Sequence, residues 1–455
     1  MPMPKTALVL IAAAVSGIAA ADVSESDRPH RHAAAAHAQA EASDALASLR
    51  LEHDPFAQVY IVMSRSSHAH MPDLVRGASP KIDRQGNRLV LAEVRAHQLS
   101  RITERIHQRE HRCGGYFAFS TRAEAEAFLR SAPTRPPQAR KSPAIMVEYS
   151  IDSQAMVSPW LDQVQHANIH GTISHLQSYQ NRYYASSYGR DAALWIQSTW
   201  MGLAAGRSDV TSELFACASC STQPSVILTI RGNELSNEVV VLGGHLDSIN
   251  ASGGGSTGQR APGADDDASG IATLTEVLRI AMASGWKPKR TVKFMGYAAE
   301  EVGLRGSNAI AQAYKRSNVN VVAALQMDMT NYKSGSGPDM RLVTDFSDPH
   351  MQRFLTDLFD VYLAPRGFTR GTDTCGYACS DHASWTAAGY PSGFFFEAGT
   401  ASGNGFPSIH TSNDTLANMG NTAQNSAKFA QLGLAFLGEA AKTSTVEAPK
   451  RTPLR

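Results

Sequence analysis

Apolar residues along this chain change rhythm several times, and each rhythm predicts a different element. The first is a single short run, ALVLIAAAVSGIAA (7–20), behind a lone lysine and ending in the small residues Ala19 and Ala21. It predicts a signal peptide over 1–21, cleaved before Asp22. No later segment reaches the ~18 apolar residues that a membrane span needs, so no membrane anchor is expected and the chain reads as exported. Residues 22 to about 53 are rich in Ala, His, Ser and Arg and carry no such run. Periodicity returns with AQVYIVMS, a strand, and with LVLAEVRAHQLSRITERIHQRE, a strand passing into an amphipathic helix. GGYFAFS then reads as a strand and TRAEAEAFLRS as a helix. This small α+β unit ends in SAPTRPPQARKSPA, a linker whose Arg140-Lys141 pair is an open target for a processing protease. Signal peptide (1–21), propeptide (22–142), large domain (143–442) and polar tail (443–455) make the order of a zymogen. The plainer alternative is an accessory domain that stays attached.

From about Ala144 the pattern alternates. SYGRDAALWIQSTWMGLA and SGIATLTEVLRIAMASG have helical spacing, as does SNAIAQAYKR. SVILTIRG, NEVVVLGG, TVKFMGY and VVAALQMD are strand-like, and RLVTDF and PSGFFFEAG are shorter apolar runs. Interleaved helices and strands predict an α/β fold with a mixed, mostly parallel central sheet and helices on both faces. In such sheets ligands gather where the strands end at their carboxyl side.

The residues just past those strand ends form a consistent set. His245 and Asp247 come after NEVVVLGG, Glu300 and Glu301 after TVKFMGY, and Asp328 after VVAALQM. His410 comes after the glycine-rich loop beyond PSGFFFEAG, and Asp265, Asp266 and Asp267 precede the helix at SGIATL. Taken singly, each has an ordinary reading. A histidine after a strand is more often a hydrogen-bonded rim residue, and an acidic triplet before a helix more often caps it. Glu300 and Glu301, however, are adjacent at the end of a buried strand, where they repel each other and lose hydration unless each holds a different cation or proton. Imidazole and carboxylate together are a zinc ligand set. Two histidines and three carboxylates exceed the needs of one tetrahedral ion and suit two metals sharing a bridging carboxylate, about 3.5–4 Å apart.

Charge and cysteine narrow the partners. A formal charge of +1 on 455 residues, with no long basic run, excludes an electrostatic nucleic-acid binder. Of five cysteines, Cys217 and Cys220 lie in CASC and Cys375 and Cys379 in CGYAC, while Cys113 has no near neighbour. C-x-x-C is also half of a zinc cage, but the chain offers no second half; in an exported chain, local disulfides are the better reading.

GGHLDS, APGADDDASG, AAEEVGLRGS, LQMDMTNY, CGYACSDHASW and IHTSNDT, in this order and spacing, closely resemble the secreted bacterial di-zinc leucyl aminopeptidases. Their wider family includes plasma glutamate carboxypeptidase and glutaminyl cyclases. The resemblance runs from about Trp160 to about Leu434. It implies a zinc-aminopeptidase (phosphorylase-like) fold and two Zn2+ per chain: one held by His245 and Asp328, the other by Glu301 and His410, with Asp266 bridging. Glu300 would be the general base serving a zinc-bound hydroxide, and Asp247 would orient the ring of His245. Cys375–Cys379 coincides with a family disulfide presenting Tyr377, whose hydroxyl would stabilise an oxyanion, although a rim aromatic is an equal reading. Met329, Val343, Phe394, Phe396 and Phe406 fall at or near the family's apolar substrate pocket, although such residues are more often core. AGTASGNGFPSI (398–409) is longer and richer in glycine than usual, and Cys217–Cys220 is not a general family feature. The resemblance implies a secreted, monomeric aminopeptidase acting on peptide and protein N-termini with apolar residues such as Leu. A carboxypeptidase or dipeptidase, a glutaminyl cyclase, and a non-catalytic metal-stabilised binding domain are the alternatives.

Overall fold

Two separate sheets organise the computed structural model. It describes residues 54–82, 88–110, 114–131, 149–251, 257–333, 335, 337–375, 378–397 and 405–444. The expected signal peptide, the Arg140-Lys141 linker, Cys113, Tyr377 and residues from 445 on lie outside the described residues.

The first sheet belongs to the N-terminal unit. Its elements are β1 (Gln58–Ser64), α1 (Arg65–Ala69), β2 (Ser79–Ile82), β3 (Arg88–Arg95), α2 (Leu99–Glu110), β4 (Tyr116–Phe119) and α3 (Arg122–Ser131). The strands run in the order β2-β3-β1-β4, all antiparallel. Alternation sends Val59, Ile61, Met63, Val90, Ala92, Tyr116 and Ala118 to one face, and Val62, Leu89, Leu91, Phe117 and Phe119 to the other. Both faces are buried. The first packs against Leu99, Ile102 and Ile106 of α2 but also against Tyr183, Tyr184, Ala298, Ala299 and Val302. The second packs against Phe128 of α3 but also against Leu304, Ala378 and Ala383. The N-terminal unit therefore has the predicted strands and helices, but its apolar core is continuous with the larger domain.

That domain begins with α4 (Gln154–Leu161), α5 (His166–Leu176) and α6 (Ser187–Leu203). It continues through β5 (Val210–Phe215), β6 (Ser225–Ile230), β7 (Leu235–His245), α7 (Ala268–Ala283), β8 (Arg290–Tyr297), α8 (Arg305–Arg316) and β9 (Asn320–Gln326). β10 (Met340–Val343), α9 (Pro349–Leu358), β11 (Arg370–Asp373), α10 (His382–Ala388), β12 (Ser392–Phe396) and α11 (Gln424–Ala441) complete it. The sheet order is β11-β10-β12-β9-β7-β8-β6-β5. β7–β8, β7–β9, β9–β12 and β10–β11 are parallel, whereas β5–β6, β6–β8 and β10–β12 are antiparallel. Val240 and Leu242 of β7 face a core with Trp200, Leu274 and Phe436 from α6, α7 and α11. Val239 and Val241 face the opposite core, with Ile310 of α8 and Trp385 of α10. Helices thus cover both faces, and the central strands β7, β8 and β9 end side by side. No helix among the described residues is long and apolar enough to cross a membrane.

Candidate metal centre

β7, β8 and β9 each deliver an acid or imidazole to one place. His245 is the last residue of β7, Glu300 and Glu301 lie three and four residues beyond β8, and Asp328 lies two beyond β9. Asp266 comes from the turn before α7, and His410 from the loop after β12. None of the six is more than 4% exposed.

The carboxylate of Asp266 lies between the two imidazoles. Its Oδ1 is 2.8 Å from His245 Nε2 and its Oδ2 is 3.0 Å from His410 Nε2. His410 Nε2 also lies 2.9 Å from Glu301 Oε2, and His245 Nε2 lies 3.6 Å from Asp328 Oδ1. Asp266 Oδ2, both Glu301 oxygens and His410 Nε2 are buried and make no hydrogen bond despite this proximity. Buried donors and acceptors are rarely left so. Hard carboxylates and imidazoles converging with lone pairs unsatisfied are what a divalent cation of the zinc type accepts, so the residues fit the metal.

The acidic triplet before α7 divides its work. Asp265 Oδ1 accepts the Asn331 N–H at 3.0 Å. Asp267 caps α7: its Oδ1 accepts from Gly270 N–H at 2.8 Å and Met329 N–H at 3.2 Å, and its Oδ2 from His245 N–H at 2.9 Å. Asp267 also has an oxygen within 4.8 Å of ligand atoms of His245 and Asp328. Because these N–H groups engage both its oxygens, Asp266 is the better ligand beside His245. Asp247 Oδ1 accepts the Glu300 N–H at 2.9 Å, and its Oδ2 accepts the Glu301 N–H at 3.3 Å. His245 Nδ1 stands 3.4 Å from the same Oδ1 without a hydrogen bond. One carboxylate therefore faces a histidine ring while it binds the turn that carries both glutamates.

Burial drives the carboxyls of Glu300 and Asp267 well above the usual range and that of Glu301 to about 7. Neighbouring acids reinforce the shift, and the histidines oppose it. Burial lowers His245 and His410, but the facing carboxylates outweigh it and lift both well above the ordinary imidazole range. For Asp266, burial raises the carboxyl, but the facing imidazoles of His245 and His410 outweigh it and hold it below the carboxylate range. Divalent cations at this place would draw the raised acids back to their ionised forms.

Several supporting groups were assigned no role from the sequence. Asp414 accepts the N–H groups of Asp265 and Asp266 at 2.8 and 3.1 Å, and Ser380 donates to Asp328 Oδ2. Arg182, fully buried, donates to the carbonyls of Leu246, Pro262 and Gly263 and so clamps the two loops that bring His245 and Asp266 together. Cys217–Cys220 and Cys375–Cys379 are both paired. Met329, Val343, Phe394, Phe396 and Phe406 are all buried in the main apolar core. The Phe394 ring lies tilted near those of Phe396 and His382, and the Phe406 ring near that of Tyr332.

The sequence pattern of peptidase family M28 matches residues 225–435. A probable leucine aminopeptidase of Arthroderma benhamiae is 35% identical over 271 residues, spanning 59% of this chain and 71% of that one. Leucine aminopeptidase 1 of Phaeosphaeria nodorum is 37% identical over 271 residues, spanning 57% and 67%. Among solved structures, the LapA aminopeptidase of Legionella pneumophila superposes with a TM-score of 0.72 at 27% identity, covering 86% of this chain and 100% of that one. LapB of the same organism gives 0.69 at 26% identity, covering 84% and 99%. The chain belongs to the zinc-dependent aminopeptidases of peptidase family M28, hydrolases of peptide bonds.

Proposed function

We propose that the chain is exported as a zymogen whose processed form removes large apolar residues such as Leu from peptide and protein N-termini, with two zinc ions per chain. The observation that carries this reading is the Asp266 carboxylate set between His245 and His410, with Asp328 and Glu301 on its two sides. His245 and Asp328 would hold one ion and Glu301 and His410 the other, with Asp266 available to both. Zinc held there supplies Lewis acidity, polarising a scissile carbonyl and acidifying water. Glu300 is the proton carrier: its Oε1 is buried without a hydrogen bond, and it takes a proton from water and passes it to the leaving amine. Asp247 positions Glu300 and Glu301 through their N–H groups. Tyr377, Met329, Val343, Phe394, Phe396 and Phe406 remain the proposed oxyanion donor and pocket residues. Turnover of leucyl-p-nitroanilide by the processed chain, with zinc content measured alongside, tests the reading. No turnover at two zinc ions per chain would sink it.

The N-terminal unit supports the zymogen half of the proposal. Thr103 Oγ1 of α2 donates to the carbonyl of Glu301 at 2.8 Å, and the His107 ring lies 5.1 Å from that of His410. Gly115 N–H donates to Ala378 O and Ala118 N–H to Gly303 O, each at 3.0 Å. α2 and β4 thus lie across the turn that bears the glutamates. Two disulfides suit export.

A further inference from the structure

Between α5 and α6 the chain reads QNRYY (180–184), and its first three residues reach the loops behind the metal centre. Gln180 O accepts the Ala261 N–H at 2.9 Å, and Asn181 Nδ2 donates to the carbonyls of Thr257 and Gln259, each at 2.9 Å. Arg182 goes deeper. Its Nε donates to Leu246 O, one residue past His245, at 3.0 Å. Its Nη1 and Nη2 donate to Pro262 O and Gly263 O, four and three residues before Asp266, at 2.5 and 2.7 Å. Ser248 joins the same two loops: its Oγ accepts the Arg182 N–H at 3.0 Å and donates to Ala261 O at 2.8 Å. Arg182 also faces Asp414, Asp267, Asp247 and Asp266, yet its side chain bonds only carbonyls.

These bonds all act on the His245 side of Asp266. Among the described residues, no hydrogen bond of Arg182 reaches the glutamate turn or the loop that bears His410. The other side has its own anchor. Asp414, four residues past His410, accepts the N–H groups of Asp265 and Asp266. Asp266 is thus aimed at its two histidines by two different residues.

We propose that Arg182 is a positioning residue for one metal position alone, the one formed by His245, Asp328 and Asp266. It sets the His245 ring against Asp266 by holding the main chain beside each. The inference rests on the ligand set proposed above. Two loops present their carbonyls to three nitrogens fixed in one plane, an arrangement that the single nitrogen of a lysine does not copy. The position formed by Glu301 and His410 is independent of it.

Zinc affinity of the metal-free full chain, read by calorimetry and chelator competition, tests this without any substrate. Two backgrounds isolate the positions: Glu301→Gln keeps the His245 position, and Asp328→Asn keeps the other. Arg182→Met should weaken zinc by about 10–100-fold in the Glu301→Gln chain, the usual loss for a residue that orients ligands. It should leave the Asp328→Asn chain unchanged. Arg182→Lys, which keeps the charge, should behave as Arg182→Met does. Ser248→Ala, a smaller change on the same loops, should weaken the His245 position about fivefold, as expected for one hydrogen bond. If the Arg182 variants do not fold, Ser248→Ala decides: weakening confined to the His245 position supports the proposal, and any other result overturns it. Equal weakening at both positions, no weakening at the His245 position, or restoration by lysine would likewise overturn it. A parent chain that binds a single zinc would sink the ligand set and this proposal together. Two zinc ions in the parent, with unselective Arg182 variants, would sink this proposal and leave the ligand set standing.

Discussion

The four-stranded and the eight-stranded sheet bury different things. The N-terminal sheet buries aliphatic and aromatic side chains on both faces, and its few buried hydroxyls are hydrogen-bonded, as Ser100 is to Tyr183 and Thr103 to Tyr116. The larger sheet buries Asp247, Asp266, Asp267, Glu300, Glu301, Asp328 and Asp381 around its central strand ends. Apolar burial is sufficient to fold the first. It cannot compensate that much negative charge in the second, where each unpaired ion carries a desolvation penalty of several kcal/mol. The difference divides the labour: one sheet packs against the glutamate turn through apolar faces, and the other gathers the acids that call for cations.

The sharpest way to break this contrast is to change charge without shape. Glu300→Gln should leave the fold and metal content intact and lower kcat by about 10²–10⁴-fold, with KM little changed. Glu301→Gln should instead lose one metal, with activity partly restored by excess zinc. Zinc rescuing the Glu300 variant would reverse the two assignments.

Chelation comes next. At free zinc near a thousand times its Kd, metal removal should cost about 4 kcal/mol of stability, read as a fall in Tm. The metal-free chain should also reverse its pH dependence. Glu300, Glu301 and Asp265 have folded pKa values raised by burial, the latter two to about 7 and about 6. The folded state therefore holds more protons than the unfolded chain, and stability falls as pH climbs from about 4 through 7. His245 and His410, raised by the facing acids, act in the same direction: their contribution is present below the ordinary imidazole pKa and is lost above the raised one. Stripped protein should melt higher at pH 5.5 than at pH 8. Zinc-loaded protein, whose ligands must be deprotonated, should do the opposite.

The N-terminal unit should respond to smaller changes. Thr103→Val removes a buried hydrogen bond to Glu301 O, worth about 1 kcal/mol, and should raise the residual activity of unprocessed chain about fivefold. Unprocessed and processed chains of equal activity would remove the inhibitory role. Smallest of all, Arg122→Ala breaks a largely exposed i,i+4 pair with Glu126 on α3 and should shift stability by no more than about 0.5 kcal/mol.

The strands of the larger sheet were legible where apolar runs are long, as in VVVLGG and VVAALQ. His245, Glu301 and Asp328 were legible because they come soon after such runs, whereas Asp266 precedes a helix and His410 follows a long loop. β11 (RGTD) was not, since its polar residues join the sheet edge through backbone pairing alone. Arg182 left no trace, and Asp414 was visible only as part of IHTSNDT, with no role attached. Each acts on main-chain groups from distant loops, so its role exists only once the fold has gathered them. The apolar pattern of the N-terminal unit located its strands but not the owner of its second face, because period-2 alternation does not say what covers each side.

Gly303 sits at φ 109 in the glutamate turn, and a Cβ there would fall 2.6 Å from the Cβ of Ala118 and 2.9 Å from its nitrogen. Backbone meets backbone at this point, and the N–H of Ala118 closes the contact onto Gly303 O. Beside the Thr103 side chain, part of the contact between the N-terminal unit and the turn is thus written in the main chain, which every residue shares. Exposed residues of the N-terminal unit can then vary widely without loosening it, while a single methyl group at Gly303 would pry it open. Gly303→Ala should therefore separate the N-terminal unit from the turn without any change to the linker.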